Sequence, residues 1–525
     1  MKKIESTSHE SLEFNPSIDF TPEEMKTVEE FHLVFRNNAD FFKSWGESLR
    51  EKWEIPMNEK IQELTAIEDK EEYKQAVIEF VNSDFLNSFK HDRATPPEHD
   101  FDNRENWKED ANNEFGAKYL SVATPDIAKE TPHYDFFGTM KGFAGHDSGS
   151  INTFTGGHDM ASNYIHRTTP SEKLKNHPIF HDKNYFPELM KAAFDYPQAM
   201  QYLCQGLNTC LGYQNKVEEV DINTFIQEIT RILQLRIFGS LYKYENSEKQ
   251  LWEKVSISIG DIPQNMKFEG DVGGLFLTVY NIIKNFIAQP EKYLDSAWNE
   301  EPRNRRLSGV KKYATLEDQE AFARTMEMQQ TLAHHAQYLE ENGETFNAHV
   351  KVEKLGDNIA IIIQDNGLGF DLNALKKAAK ELAKRDDLDN LVENGMLDPE
   401  LKEHLELWNI KDSIFFNKIT PHFEDLLTTA RLSGSGLKLG GITSETGSSG
   451  LGLFAAKEMI KHGKGKLIIG ENSDAKMGAT FVILLPAAPN TDEQTTLNVA
   501  EAFRDDTQEV CNTRFEDIFE KKKAS

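Results

Sequence analysis

An apolar run from Ala360 to Ile363 leads directly into the segment Asp365-Asn366-Gly367-Leu368-Gly369. The run has the length of a buried strand, and two glycines so close behind it predict a tight turn. A second glycine-rich segment, Gly447 to Leu453, stands at the start of a helical pattern. Glycine-rich turns at such places let backbone N–H groups approach phosphate. The two segments therefore indicate an α/β fold with a nucleotide-phosphate site.

A third segment, Val279 to Asn285, lies upstream within a helix predicted from Leu275 to Ala288. Asn281 and Asn285 are four residues apart and therefore lie on one face of that helix. Each segment alone is a weak signal, because an Asp-x-Gly-x-Gly sequence is often a plain turn. The three together, in this order and on fitting secondary structure, indicate one nucleotide site.

These segments resemble the histidine-kinase-type (GHKL) ATP-binding domain, and the resemblance extends over residues 220–487. Asp271, before the asparagine helix, also fits this family. The resemblance implies that ATP binds together with Mg²⁺ and that Asn285 ligates the metal. It further implies that Asn281 faces the nucleotide and that Asp365 accepts a hydrogen bond from the adenine amino group.

The resemblance also gives roles to the glycines and to a closing strand that begins at Gly478-Ala479-Thr480-Phe481. Gly367 and Gly369 let the base and the lid pack closely. The remaining assigned residues are Gly447, Gly450 and Gly452 beside the phosphates, and Thr480 in the closing strand. In the ATPase branch, the position of Asn281 usually holds a Glu that acts as a base towards water. Asn cannot take that proton, so the site suits transfer to another nucleophile.

Two heptad ladders precede this domain, within residues 134–215. The first runs from Met140 to Ile165 and the second from Leu189 to Gln214. Such spacing keeps an apolar seam towards a partner helix, so the pair forms a helical hairpin. One hairpin does not bury both faces, and we expect two chains to pair into a four-helix bundle. Glycines in the first helix and Pro197 in the second oppose a regular helix.

A candidate nucleophile lies on the first of these helices. The segment Gly145-His146-Asp147-Ser148-Gly149-Ser150 resembles the phosphoacceptor box of histidine kinases. A neutral imidazole nitrogen is nucleophilic near neutral pH, and Asp147 can orient the ring and take its proton. We expect His146 to accept the phosphoryl group and Ser150 to position water for dephosphorylation of the partner. His158-Asp159 is a competing pair, but His158 falls on the seam.

The composition limits the partners of the chain. Its 525 residues carry a formal net charge of −28, which disfavours nucleic acid and a basic membrane-binding surface. Three cysteines fit a reducing compartment rather than a disulfide framework. No apolar run approaches the ~18 residues of a membrane span, and no signal peptide is visible, so a cytoplasmic protein is expected.

The sequence divides into four parts. Residues 1–125 form a helical accessory or sensory region, in which Thr21-Pro22-Glu23-Glu24 starts one helix and Glu71 to Lys90 form a second. The other parts are the hairpin at 134–215, the α/β sandwich at 220–487 with an insertion at 290–347 and a lid at 371–446, and a linker with one helix at 488–525. His334-His335 in the insertion raise the question of a metal site, but a solvated helix is the better interpretation.

The expected function is that of a homodimeric sensor histidine kinase. The chain would phosphorylate itself on His146 and pass the phosphoryl group to an aspartate of a response regulator. No receiver domain is evident, so this partner is expected to be a separate chain. Two alternatives stay open: an ATP-binding conformational protein that clamps a partner, and a degenerate kinase that serves as a scaffold.

Overall fold

The computed structural model describes residues 14–16, 18–94, 120, 124–128, 130–155, 183, 185–215, 217–239, 254–263, 265–294, 331–355, 358–369, 388–389, 455–456, 458–459, 465–471 and 478–488. Its helices are α1 (Pro22–Thr65), α2 (Lys70–Val81), α3 (Asp84–Ala94), α4 (Tyr134–Thr155), α5 (Tyr185–Cys210), α6 (Ile222–Gly239), α7 (Val272–Leu294) and α8 (331–341). Its strands are β1 (Glu218–Asp221), β2 (Val255–Ile259), β3 (Lys267–Gly270), β4 (Phe346–Leu355), β5 (Asn358–Asp365), β6 (Lys466–Glu471) and β7 (Ala479–Pro486). The fold is mostly helical with a small mixed sheet, which is compatible with the predicted helical and α/β parts. Among the helices described, none has the length and apolar content that a membrane span requires.

The 44-residue helix α1 begins with the signals that the sequence predicts. The Oγ1 of Thr21 accepts from the backbone N–H of Glu24 at 3.3 Å, and the Glu24 carboxylate accepts from the Thr21 N–H at 2.9 Å. The same carboxylate accepts from the backbone N–H of His133 at 2.8 Å, just before α4. This capping box therefore ties the start of α1 to the start of α4.

The second predicted helix, Glu71 to Lys90, is wrong as one continuous element, because α2 ends at Val81 and α3 begins at Asp84. The side-chain amide of Asn82 donates to the Ile78 carbonyl at 2.8 Å. The Oγ of Ser83 accepts from the backbone N–H of Leu86 at 3.2 Å. Short polar side chains that bond to nearby backbone favour helix ends over helix interiors, which explains the break.

Helix α5 is the centre of the helical part, where α1, α4, α6 and α7 pack against it. It continues through Pro197, which lies so near α1 that a Cβ on Gly46 would stand 3.1 Å from the Pro197 Cβ. The predicted seam is buried from Leu189 to Cys210, where α5 ends, whereas its last predicted residue, Gln214, lies beyond the helix and is half-buried. Because α1 covers α5 within the same chain, burial of this seam does not require a second copy.

The first predicted ladder is described only in part. Met140, Ala144 and Ile151 of α4 are buried, as a seam requires. The part of the ladder beyond Thr155 lies outside the described residues.

A group of ion pairs, here called the interhelical cluster, joins α1, α5 and α6. Asp195 of α5 is 4% exposed. Its carboxylate accepts from the guanidinium groups of Arg231 on α6 and Arg50 on α1. Arg231 also donates to Glu188 at 2.8 Å. The cluster fixes the relative positions of three helices around the middle of α5.

The five-stranded sheet has the order β2-β4-β5-β7-β6. Strand β2 runs parallel to β4, and every other neighbouring pair is antiparallel. In its centre Ile361 pairs with Ile483 and Ile363 with Phe481. These side chains belong to the apolar core that α6, α7 and α8 share. The residue pattern predicts a strand at 255–259 from its period-two alternation, a hairpin of strands at 348–353 and 358–364, and two closing strands at 466–469 and 480–485. All of them fall within the strands described.

Candidate nucleotide site

The predicted acceptor Asp365 is the last residue of β5, on the face of the strand that Ile361 and Ile363 turn to the core. It is 6% exposed. Its Oδ1 accepts from the backbone N–H of Gly367 at 2.9 Å and from that of Ala479 at 3.3 Å. One carboxylate oxygen therefore joins the turn after β5 to the start of β7.

Burial sets the protonation of this group. It raises the pKa of the Asp365 carboxyl to about 6, against the opposing effect of the N–H groups of Gly367 and Ala479. At neutral pH the carboxyl is therefore mostly ionised. The site presents a buried anionic acceptor to a ligand that carries N–H donors.

Two glycines bring the backbones of the two loops into contact. Gly478 has φ of +147°, and a Cβ there would lie 1.9 Å from the Asp365 carbonyl oxygen. Gly369 has φ of +68°, and a Cβ there would lie 2.8 Å from the Gly478 carbonyl oxygen. Only glycine fits both positions without moving backbone. Sequence reasoning assigned Gly369 to the site but placed Gly478 only in a strand motif, because the contact joins segments distant in sequence.

Asn366 fastens the turn to the strand beside it. Its backbone N–H donates to the Asn347 carbonyl at 3.1 Å, and its Oδ1 accepts from the Asn347 N–H at 2.6 Å. Its Nδ2 donates to the Thr345 carbonyl at 2.9 Å. Its own carbonyl accepts from the Nε2 of His335 at 2.6 Å. Neither His335 nor Thr345 was predicted to take part in the site.

The interpretation of His334-His335 as part of a solvated helix holds for one residue only. His334 is exposed, whereas His335 is 4% exposed and bonds the turn after β5. A helix with one polar and one core-facing side places adjacent residues in different surroundings. Within the described ranges, no group of three or more His, Cys, Asp or Glu side chains is arranged to hold a metal ion.

The two asparagines lie on α7, in the helix layer over the same face of the sheet as Asp365. Asn281 is 6% exposed, and its Nδ2 donates to the Leu277 carbonyl of its own helix at 2.7 Å. Asn285, one turn further along, is half-buried. Its oxygen is of the ligand type that Mg²⁺ prefers.

The start of α7 is fixed on α5. Asp271 caps α7, because its Oδ1 accepts from the Gly274 N–H at 3.0 Å, and the same oxygen accepts from Asn215 at 2.9 Å. Thr209 of α5 donates to the other carboxylate oxygen. A Cβ on Gly206 would lie 2.6 Å from the Gly273 carbonyl oxygen, so the two helices are in backbone contact. Thr209 and Asn215 carry no motif that would have identified them in the sequence.

Helix α4, which carries the predicted phosphoacceptor box, also reaches α7. The Lys284 ammonium lies over the Phe143 ring, 5.2 Å from its centroid. His146 follows Phe143 by one turn of α4, and Lys284 directly precedes Asn285. The side chains of His146, Asp147 and Ser150 lie outside the described part of the structure, as do Gly447, Gly450 and Gly452.

Thr480 is buried in β7 and pairs with Gln364 of β5. Directly opposed residues of an antiparallel pair point to the same face of the sheet, and neighbours along a strand point to opposite faces. Thr480 therefore lies on the face opposite to Asp365. The contribution of this segment to the loop is the backbone N–H of Ala479.

Comparison with known proteins gives distant structural likeness. No family model and no curated protein match the chain. Full-length ShkA in complex with AMPPNP aligns at 10% identity and a TM-score of 0.25, over 66% of this chain and 46% of that one. The mycobacterial sensor histidine kinase MprB aligns at 13% identity and a TM-score of 0.22, over 52% of this chain and 99% of that one. The chain thus spans under half the length of ShkA.

Proposed function

We propose that this chain binds Mg-ATP beside Asp365 and acts as a protein histidine kinase. The observation that carries the proposal is the Asp365 carboxylate, a buried acceptor held by the N–H groups of Gly367 and Ala479. Around it, Gly369 and Gly478 leave no room for a Cβ. A flat base with an amino donor suits a site with these properties.

Asp365 accepts a hydrogen bond from the adenine amino group in this proposal. Asn285 ligates Mg²⁺, and that ion neutralises charge on the phosphates when it is bound. Asn281 lies one turn earlier on α7 and has no group that takes a proton from water. These residues therefore favour transfer of the γ-phosphoryl group over hydrolysis.

His146 is the proposed acceptor, and the Phe143–Lys284 contact supports it because α4 meets α7 one turn from that residue. A ring nitrogen of neutral His146 attacks the γ-phosphorus, a nitrogen–phosphorus bond forms, and the bond to the bridging oxygen breaks with release of ADP. Asp147 takes the ring proton. An aspartate of a response regulator then receives the phosphoryl group, and Ser150 positions water for the reverse dephosphorylation.

The proposed homodimer needs a surface other than the seam of α5. That seam is buried by α1 and by the other helices packed on α5 within one chain. The heptad pattern therefore no longer supports dimerisation by itself. The oligomeric state is best measured directly, by light scattering on the full chain.

Labelling with γ-labelled ATP tests the kinase. A phosphohistidine gives a label that acid removes and base preserves. We expect such a label on the wild-type chain and on His158→Gln, the matched control, and none on His146→Gln. Label that persists on His146→Gln and disappears on His158→Gln would move the acceptor to His158.

Two other results would each favour a different function. ATP binding without any label favours a conformational clamp, and absence of Mg-ATP binding favours a degenerate scaffold.

Asn285→Ala should remove label while circular dichroism shows a folded chain, because a hard oxygen ligand is lost. In a mixture of Asn285→Ala with His146→Gln, return of label would show that the reaction runs between chains.

A further inference from the structure

Helix α8 and the turn after it hold the loop that follows β5. Every polar group of Asn366 is bonded, and all four bonds go to residues 335–347. Three of them reach Thr345 and Asn347, at the start of β4. The fourth is the bond from His335, and it is the one that reaches into α8.

The ring of His335 is fixed by its surroundings. It is 4% exposed, with the Tyr338 ring stacked at 6.3 Å between centroids and the Phe346 ring edge-on at 5.8 Å. A carbonyl only accepts, so the Nε2 that lies 2.6 Å from the Asn366 oxygen carries the proton. The donor is present in the neutral Nε2–H tautomer and also in the imidazolium.

The helix that carries this donor is itself anchored. Leu332, Ala336 and Leu339 lie in the apolar core, and Glu340 pairs with Lys254 beside β2 at 2.9 Å. The backbone N–H of Glu344 donates to the Leu339 carbonyl at 2.8 Å and ends the helix. The donor therefore has a fixed position relative to the sheet, and so does the carbonyl that it bonds.

We infer that His335 is a positioning residue for the adenine acceptor Asp365. Its hydrogen bond goes to Asn366 rather than to Asp365 itself. His335 donates to the Asn366 carbonyl. Asn366 lies between Asp365 and Gly367, whose backbone N–H donates to the Asp365 carboxylate. The inference rests on the proposed function, and it gives the segment around α8 the role of keeping the adenine loop ordered before a nucleotide binds.

Three variants separate the hydrogen bond from packing. His335→Phe keeps an aromatic ring between Tyr338 and Phe346 but removes the donor. His335→Gln keeps an N–H donor of similar reach. His334→Phe, on the exposed neighbour, is the matched control. His335→Leu takes the place of His335→Phe if the latter does not fold.

The readouts are the affinity for adenosine and for Mg-ATP, by calorimetry, and hydrogen exchange of the amides of residues 366–369 without nucleotide. We expect His335→Phe to weaken both affinities about tenfold and to speed exchange about tenfold, as loss of one buried hydrogen bond implies. His335→Gln and His334→Phe should stay within about twofold of wild type, since each keeps the bond.

The exchange measurement separates this inference from the proposed function. Wild-type exchange and affinity in His335→Phe would overturn the role of His335 while leaving ATP binding intact. Equal acceleration in His335→Gln would also overturn it, because the donor would then be irrelevant. If the wild type binds neither adenosine nor Mg-ATP, the proposed function is wrong, and so is the role of His335 at the adenine site. Exchange in His335→Phe would then show only whether the bond orders the loop.

Discussion

Two buried aspartates, Asp195 and Asp365, are almost equally hidden from solvent, at 4% and 6% exposure. Asp195 lies in the interhelical cluster, against the guanidinium groups of Arg50 and Arg231. Burial raises the pKa of both carboxyl groups, but the opposing groups are the two guanidinium groups at Asp195 and the backbone N–H groups of Gly367 and Ala479 at Asp365. The first carboxylate is part of the scaffold, because its charge is matched by side chains of other helices. In the proposed function, the second carboxylate is the acceptor for the adenine amino group. Burial alone does not separate the two, whereas the type of donor does.

The largest expected effect concerns the scaffold. Asp195→Asn leaves two partly buried guanidinium groups without their shared counter-charge, and should lower the free energy of unfolding by about 3 kcal/mol. Urea denaturation measures it. Glu54→Gln is the control, since Glu54 is an exposed partner of Arg50 and its removal should cost less than about 0.5 kcal/mol. If Asp195→Asn loses no more stability than Glu54→Gln, Asp195 is not a scaffold residue, and the distinction between the two aspartates is wrong.

The next effect concerns the loop around Asp365. Gly478→Ala places a Cβ against the Asp365 carbonyl at a positive φ, and should cost about 2–3 kcal/mol of stability. Adenosine binding should disappear as well, because the Ala479 N–H moves away from the carboxylate. Gly138→Ala, on α4 with open space around it, should leave binding unchanged and stabilise the chain slightly. Normal adenosine binding by Gly478→Ala would contradict the site.

Asp365→Asn should differ from Asp195→Asn in its effect on the free energy of unfolding. The amide oxygen still accepts from Gly367 and Ala479, and the buried charge is gone, so stability at neutral pH should not fall. ATP affinity should decrease by about 2 kcal/mol, the worth of a charged hydrogen bond. Calorimetry and denaturation on the same preparation test both halves. Loss of stability without loss of affinity would make Asp365 a second scaffold residue.

The last expected effect is a dependence of the free energy of unfolding on pH. Burial, helped by Asp195, raises the pKa of Glu228 from 4.5 to about 7, against Arg50 and Arg231. The folded chain thus holds this proton more tightly than the unfolded chain, and stability falls as pH rises from about 4.5 through about 7. Glu228→Gln should reduce this slope, to which Asp365 also contributes, and should be more stable than the wild type at pH 8. If the pH dependence of stability is unchanged in Glu228→Gln, other groups cause it.

The sequence predicted features that depend on neighbouring residues. Period-two alternation marked β2, an apolar run marked β5, and the Thr21 box marked the start of α1. It did not predict the Ala479 N–H on Asp365, the His335 bond or the cover that α1 provides for α5. Each of these joins segments far apart in the chain. A heptad pattern shows that a helix buries one stripe, but it does not show which helix covers that stripe.

The distance in sequence between β5 and β7 has a consequence for synthesis of the chain. Asp365 and the Ala479 N–H are 114 residues apart. At about 5–20 residues per second, β7 leaves the ribosome about 6 to 23 s after β5. In that interval the nascent chain carries the apolar strand Ile359 to Ile363 as an unpaired sheet edge, the kind of surface that associates with other chains. Nascent chains arrested before residue 478 should therefore be captured by chaperones, and full-length chains should be released.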